Sequence, residues 1–353
     1  MGFLTEEESS CLRINHVILH VVGGKAEFEP QPELCDHVHA DFFLGRIRDS
    51  AIDSVHRFRD NSETKEKLER IAKGEISFEA GAQDLSRAFS RGHVGSSKDG
   101  AFFVFELGAT CPNTHLFCMI KYDYRQAIEL YDNGGQNALR EIVQAFIKEP
   151  RAIQKICLVR VIDGVADANV SARDRMGNAP DLTEYFEKFL DVKRERDNSE
   201  LTRNMSEAVR ASLQDCREFL PDGSVATALS AVKETLRTRE TVDDEAVREA
   251  VLVAAGRPTD ENVRAALEKS VNRHLKNKRI FGVVFRPDAQ VLGRAPRRFI
   301  RTAENVEVTY PGDQEGHAVK RVENSDGSVT ISIRTAQKLI EDGVLAERNG
   351  RRG

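Results

Sequence analysis

Apolar and polar residues alternate along residues 12–22 (LRINHVILHVV), with Val17, Leu19 and Val21 on one side and His16, Ile18 and His20 on the other. That two-residue period predicts a strand, closed by Gly23-Gly24. From residue 33 the period lengthens. Leu34, Val38 and Phe42, then Leu44, Ile47, Ala51, Ile52 and Val55, form one stripe that predicts a helix reaching residue 59. Ser62 opens a second, more polar helix that stops near Gly74, and Phe78, Ala82, Leu85, Ala88 and Phe89 place a third over residues 78–89. Two β-rich runs, 101–109 and 115–124, flank Cys111-Pro112-Asn113-Thr114, which reads as a hairpin turn. A helix near 137–148 and a strand at 153–162 complete the unit, and Asp163-Gly164 ends it. Strands that bunch together with helices beside them, without strict alternation, predict an α+β fold with an N-terminal antiparallel sheet.

Beyond residue 165 the pattern changes. Residues 181–277 read as almost entirely helical: Asp181, Asp243 and Asp260 sit at helix starts, and Pro221-Asp222-Gly223 and Gly256-Arg257-Pro258 interrupt. Within this region Leu201, Met205, Ala208, Val209 and Ser212 make an apolar stripe opposite Arg196, Arg203 and Arg210. Strand-like runs return at 280–285, 304–310 and 328–333, the last entered through Asn324-Ser325-Asp326-Gly327, and a short helix is expected at 335–341. The expected organisation is therefore an α+β domain at 1–165, a helical middle region at 166–279 and a small β-containing region at 280–353.

Charge changes this picture most. The 353 residues carry a net charge of −5, yet residues 269–301 hold ten Lys/Arg against one acid, Asp288. An acidic chain with one concentrated basic segment aims that segment at something anionic. Lys269, Arg273 and Lys276 share one face of a helix at i, i+4 and i+7, with Lys278 and Arg279 at its end. Arg297, Arg298 and Arg301 follow in a β-rich stretch, and Lys193, Arg194 and Arg196 form a second short cluster that extends the surface if the helical region folds back on it. These eleven cations are the candidate phosphate-binding set. Lys/Arg contacts to phosphates produce salt-dependent, sequence-tolerant binding, and five to eight of them predict a slope of log K on log salt of about −5 to −7. The competing reading of the helical stripe is an ordinary solvated face whose terminal cations complement the helix dipole. The helices at 243–254 and 260–276, joined by a Gly-Arg-Pro-Thr-Asp turn, have helix-turn-helix proportions, although an ordinary helical hairpin fits them as well.

Other chemistry is thinly represented. The six cysteines (Cys11, Cys35, Cys111, Cys118, Cys157, Cys216) contain no CxxC pair and read as buried reduced thiols of a cytoplasmic protein. Cys35, His37 and His39 lie close in sequence, but on a helix His37 and His39 point about 200° apart. The loop 92–100 lacks the order of a P-loop, and no GxSxG occurs. Abundant acids leave a metal-dependent nuclease as a third possibility that no spacing supports. No cofactor and no enzymatic activity are expected. No apolar run reaches 18 residues, so no membrane insertion is expected, and MGFLTEEESS predicts neither a secretory signal nor myristoylation.

The order of segments resembles the bacterial 37-kDa nucleoid-associated protein family. The likeness lies in AFFVFELGA and HLFCMIKYDY after a Gly-rich loop and in YFEKFLDVKRERDNSELTRNMSEAV at 185–209. It continues in Arg297-Arg298-Phe299 before ENVEVTY, and in the closing turn, SVTISI and short helix. The resemblance implies a cytoplasmic, nucleoid-located protein that binds double-stranded DNA, forms a homo-oligomer (a homodimer being the expected case) and catalyses nothing. Residues 312–325 depart from the family as an insertion in the C-terminal hairpin, and the tail ends soon after the short helix at Arg351-Arg352. The alternative from another class is an adaptor or sensor subunit whose basic segment docks an acidic protein partner in a DNA-processing or anti-phage defence assembly.

Overall fold

In a computed structural model of the chain, the described residues are 2–23, 27–35, 39–92, 100–108, 113–132, 137–146, 152–293, 297–311 and 318–335; side chains of 124–132, 137–146 and 297 lie outside that description. The chain divides into two compact units, Met1–Leu292 and Gly293–Gly353.

The first unit begins with α1 (Glu6–Cys11) and β1 (Arg13–Val22), then α2 (Ala40–Ser50), β2 (His56–Phe58), α3 (Glu63–Ala72) and α4 (Phe78–Arg91). Next come β3 (Gly100–Gly108), β4 (Thr114–Tyr122), β5 (Tyr124–Asp132), β6 (Asn137–Phe146), β7 (Ile153–Ile162), β8 (Val165–Ala166) and β9 (Asn169–Asp174). α5 (Glu184–Leu190) and β10 (Val192–Arg194) lead into four helices: α6 (Asn198–Asp215), α7 (Val225–Arg237), α8 (Asp244–Ala254) and α9 (Glu261–Asn277).

An antiparallel sheet in the order β1-β3-β4-β7-β9-β2-β10, with β8 beside β7, forms the centre of the N-terminal part. β3 is buried along its whole length, as a strand covered on both faces must be. One face carries Phe102, Val104, Phe117 and Val159 against Leu68 of α3, Leu85 and Phe89 of α4 and Phe186 of α5. The other carries Phe103, Phe105, Cys118 and Leu158 against Leu44 and Ile47 of α2. The fold is α+β. A separate core, mostly aliphatic, joins α6–α9: Leu201, Met205 and Val209 meet Val232, Val247, Val251, Leu267, Val271 and Leu275. Asp197 starts α6 by accepting from the Glu200 amide at 2.7 Å, and Asp260 starts α9 by accepting from that of Asn262 at 2.8 Å.

The described residues of the second unit form two hairpins: β11 (Arg297–Arg301) with β12 (Glu307–Pro311), and β13 (Val319–Glu323) with β14 (Val329–Ile333).

Several expectations need correction. The segment expected as a helix near 137–148 is β6, paired with β5 from Tyr124↔Phe146 to Asp132↔Asn137. Its apolar residues satisfy either period, and Asn133-Gly134, a hairpin-turn pair, is the better guide. The helix expected over 33–59 is only α2, and residues 56–58 are a strand; Ile52 and Val55 are core residues outside any helix. The sheet does not stop at Gly164, since β8 and β9 continue it, and β10 interrupts the expected helical run. Thr183, not Asp181, is the N-cap of α5. Residues 280–285 form no strand beyond a bridge between Val242 and Phe285. Ile280, Val283, Phe285 and Leu292 are buried in the helical core. Cys118, Cys157 and Cys216 are buried free thiols, whereas Cys11 and Cys35 are exposed. Cys111, the Cys35–Asp41 constellation at 36–38, the loop 93–99, residues 312–317 of the 312–325 insertion and residues 336–341 of the final helix fall outside the described residues.

Candidate nucleic-acid interface

The basic segment is split between the two units. Lys269, Arg273, Lys276, Lys278, Arg279 and Arg286 belong to the first; Arg297, Arg298 and Arg301 belong to the second. In α9, Leu267, Ser270, Val271 and Leu275 turn inward, leaving the cationic positions to the outer side of the helix. Lys269, Arg273, Arg279 and Arg286 are exposed.

α6 lies beside α9 and runs antiparallel to it. Its acids meet α9's cations two turns apart: Lys278 Nζ is 2.6 Å from Glu207 Oε2, while Arg273 and His274 both reach Asp215, His274 Nε2 at 2.6 Å. Those contacts, first the His274 hydrogen bond, hold the Asp215 carboxyl below its ordinary value, and Lys278 does the same for Glu207. Lys276 instead places its ammonium 5.1 Å from the centre of the Phe281 ring. Among the described residues no acid lies within ion-pair reach of Lys269, Arg279, Arg286 or Lys193.

The second cluster abuts the end of α9. Arg196 bonds to Glu200 at 3.0 Å and donates to the carbonyl of Arg279. Arg194 is held by Asp181 at 2.9 Å and by Asn198 Oδ1 at 2.7 Å, while Lys193 is exposed. In the second unit Arg301 pairs with Glu307 and lies 5.6 Å from the centre of the Phe299 ring; Arg298 is exposed. The structure therefore brings Arg196 to the end of α9, and it engages Arg194, Arg196, Arg273, Lys278 and Arg301 with carboxylates. Sequence reasoning left Arg203 and Arg210, exposed on α6, off the candidate set, and it missed the acidic edge of α6. Glu207 and Asp215 are eight residues apart on one helix, a spacing that does signal a shared side.

Two carboxylates, the buried Asp53 and the half-buried Asp244, anchor the exit from α9. Asp53 Oδ2 accepts the Phe281 amide at 2.8 Å, and Asp244 Oδ2 accepts the Gly282 amide at 2.9 Å. Burial pushes Asp53 up to about 7, against the Phe281 hydrogen bond and the nearby Arg196 and Arg279, and pushes Asp244 up to about 6. Gly282 has φ +76°, and a Cβ there would stand 2.7 Å from Ile52 Cγ2, so only glycine fits this turn.

A cleft of about 1270 Å³ lies between α3–α5 and the ends of β7 and β9. Its cations Lys67, Lys155, Arg175 and Lys188 are balanced by Glu63, Asp123, Glu184 and Asp191, so it lacks the charge excess of a phosphate surface. At its floor Lys155 bonds to Asp174 and, at 2.7 Å, to Thr183 Oγ1, and burial pushes its ammonium down. His20 is also fully buried and pushed down to about 4, with Nε2 accepting the Gln31 amide at 3.0 Å; His16 is half-exposed against Glu33. Among the described residues no three His, Cys, Asp or Glu gather as a metal site, and no helix is long and apolar enough to cross a membrane.

No curated protein matches the chain. The family model described as nucleoid-associated protein YejK (NA37) does, over residues 18–340, a span that takes in the sheet, the helical core and both C-terminal hairpins. The chain belongs to this family of nucleoid-associated proteins, whose place is the cytoplasmic nucleoid.

Proposed function

We propose that the protein binds duplex DNA with little sequence preference, through phosphate contacts made by the cations of α9, its exit and the 193–196 cluster, together with those of β11. The observation that carries this reading is the concentration of ten Lys/Arg in residues 269–301 of an acidic chain. Phosphate contacts position a protein without reading bases, and the acidic remainder of the surface repels DNA elsewhere. No catalytic step is assigned to the protein. Fluorescence anisotropy with a duplex tests the reading: binding that weakens steeply with salt supports it, and no binding at ~50 mM salt overturns it.

A second reading, an adaptor for a protein partner in a DNA-processing or defence assembly, is favoured by the exposed apolar residues of the second unit. Phe299, Val322, Val329 and Ile333 are each about half or more exposed. Charge reversal at Arg297 and Arg298 would then cost partner binding and leave DNA binding unchanged.

A further inference from the structure

β5 and β6 pair with each other and, among the described residues, with no other strand. They are inserted between β4 and β7, which are themselves neighbours in the main sheet. The insertion is thus a two-stranded arm, about 30 Å long at 3.4 Å per residue. A ribbon of two strands is marginal by itself and leaves two open edges. Its composition does not suit nucleic acid. Eleven of the 19 strand residues are apolar, and the only charges are Arg125 and Arg140 against Glu129, Asp132 and Glu141.

The two edges are not equivalent. Between the pairs Arg125↔Ala145 and Ala127↔Ile142, β5 advances two residues and β6 three. The extra residue is a bulge in β6, a feature that turns an edge away from further pairing. β5 keeps a regular edge.

We propose that β5 pairs antiparallel with β5 of a second copy of this chain, about a two-fold axis at Ala127, making one four-stranded sheet across a homodimer. Outward-pointing backbone groups alternate along a strand, so a symmetric antiparallel pair must centre on a residue. Centring at Glu129 opposes two carboxylates, and centring at Gln126, Ile128 or Leu130 leaves the charged residues opposite neutral ones. Centring at Ala127 sets Arg125 opposite Glu129 twice and Tyr124 opposite Leu130 twice, with Gln126 opposite Ile128. Glu129 is already opposite Arg140 within its own arm, so the charges would alternate across the face. This proposal is independent of the DNA reading; a monomer that binds DNA overturns it and leaves that reading standing.

The test is sedimentation equilibrium of the full chain with R125E, plus a cysteine pair. A dimer is expected for the wild type, and R125E, which opposes like charges at two positions, should raise its dissociation constant at least ~10-fold. With Cys11 and Cys35 changed to Ser, A127C should form an intermolecular disulfide under mild oxidation and I128C should not, because only the axial residue faces its own copy. A monomeric wild type, a dimer indifferent to R125E, or equal cross-linking of A127C and I128C overturns the proposal.

Discussion

Asp215 and Glu207 hold two of α9's cations, and releasing them should strengthen DNA binding. The perturbation is E207A/D215A, which removes both carboxylates facing Lys278 and Arg273. These pairs are substantially exposed, so the fold should survive. Each cation freed for a phosphate contact should release about 0.9 counterion, making the slope of log K on log salt steeper by about 0.9. At ~0.1 M salt that is a gain of about 8-fold per cation, and about 60-fold for two as an upper bound. The assay is anisotropy of a labelled duplex over a salt series. E184A serves as control: it removes an exposed acid paired with Lys188, a cation outside the proposed set, and should leave the slope unchanged. If E207A/D215A leaves both affinity and slope at the wild-type values, α9 does not face DNA and the reasoning fails.

Two further outcomes concern stability. Lys155 and Asp174 are about 1% exposed, so D174A should cost about 3–5 kcal/mol by leaving a buried ammonium without its counter-charge, and K155M/D174A should recover most of it; a D174A cost below ~1 kcal/mol in chemical denaturation would refute this. Asp53, raised by burial from 3.8 to about 7, binds a proton in the folded state that the unfolded chain has released. Its contribution is present below pH ~4 and is lost as pH rises to about 7, so wild type should lose about 1.4 kcal/mol per pH unit relative to D53N across that window, and parallel stability curves would contradict the assignment.

Much of the fold is legible in the chain because periodicity and capping agree. Ser62, Ser77 and Asp197 each precede a clean 3.6-residue stripe, and α3, α4 and α6 form there. Legibility fails where tertiary pairing decides. Residues 56–58 and 192–194 are too short to show a period, and they become strands only by pairing with each other and with β9. Residues 137–146 satisfy both periods, so the partner strand settles the matter. The α1 helix was readable from its Thr5–Glu8 capping box, which the acidic composition obscured. At the candidate interface, the i, i+4, i+7 spacing puts Lys269, Arg273 and Lys276 on one face of a helix, and in the structure Leu267, Ser270, Val271 and Leu275 are the residues of α9 turned inward. The sequence could not show that Arg273 and Lys278 would meet carboxylates of another helix, since helix pairing is a property of the assembled core.

The most direct measurement is a salt titration of duplex-DNA binding on wild type and two charge-reversed variants, one changing Lys269, Arg273, Lys276 and Arg279 to Glu, the other Arg297, Arg298 and Arg301. The account predicts a wild-type slope of about −5, reduced by each variant. A slope near −1, or no binding at ~50 mM salt, would contradict it.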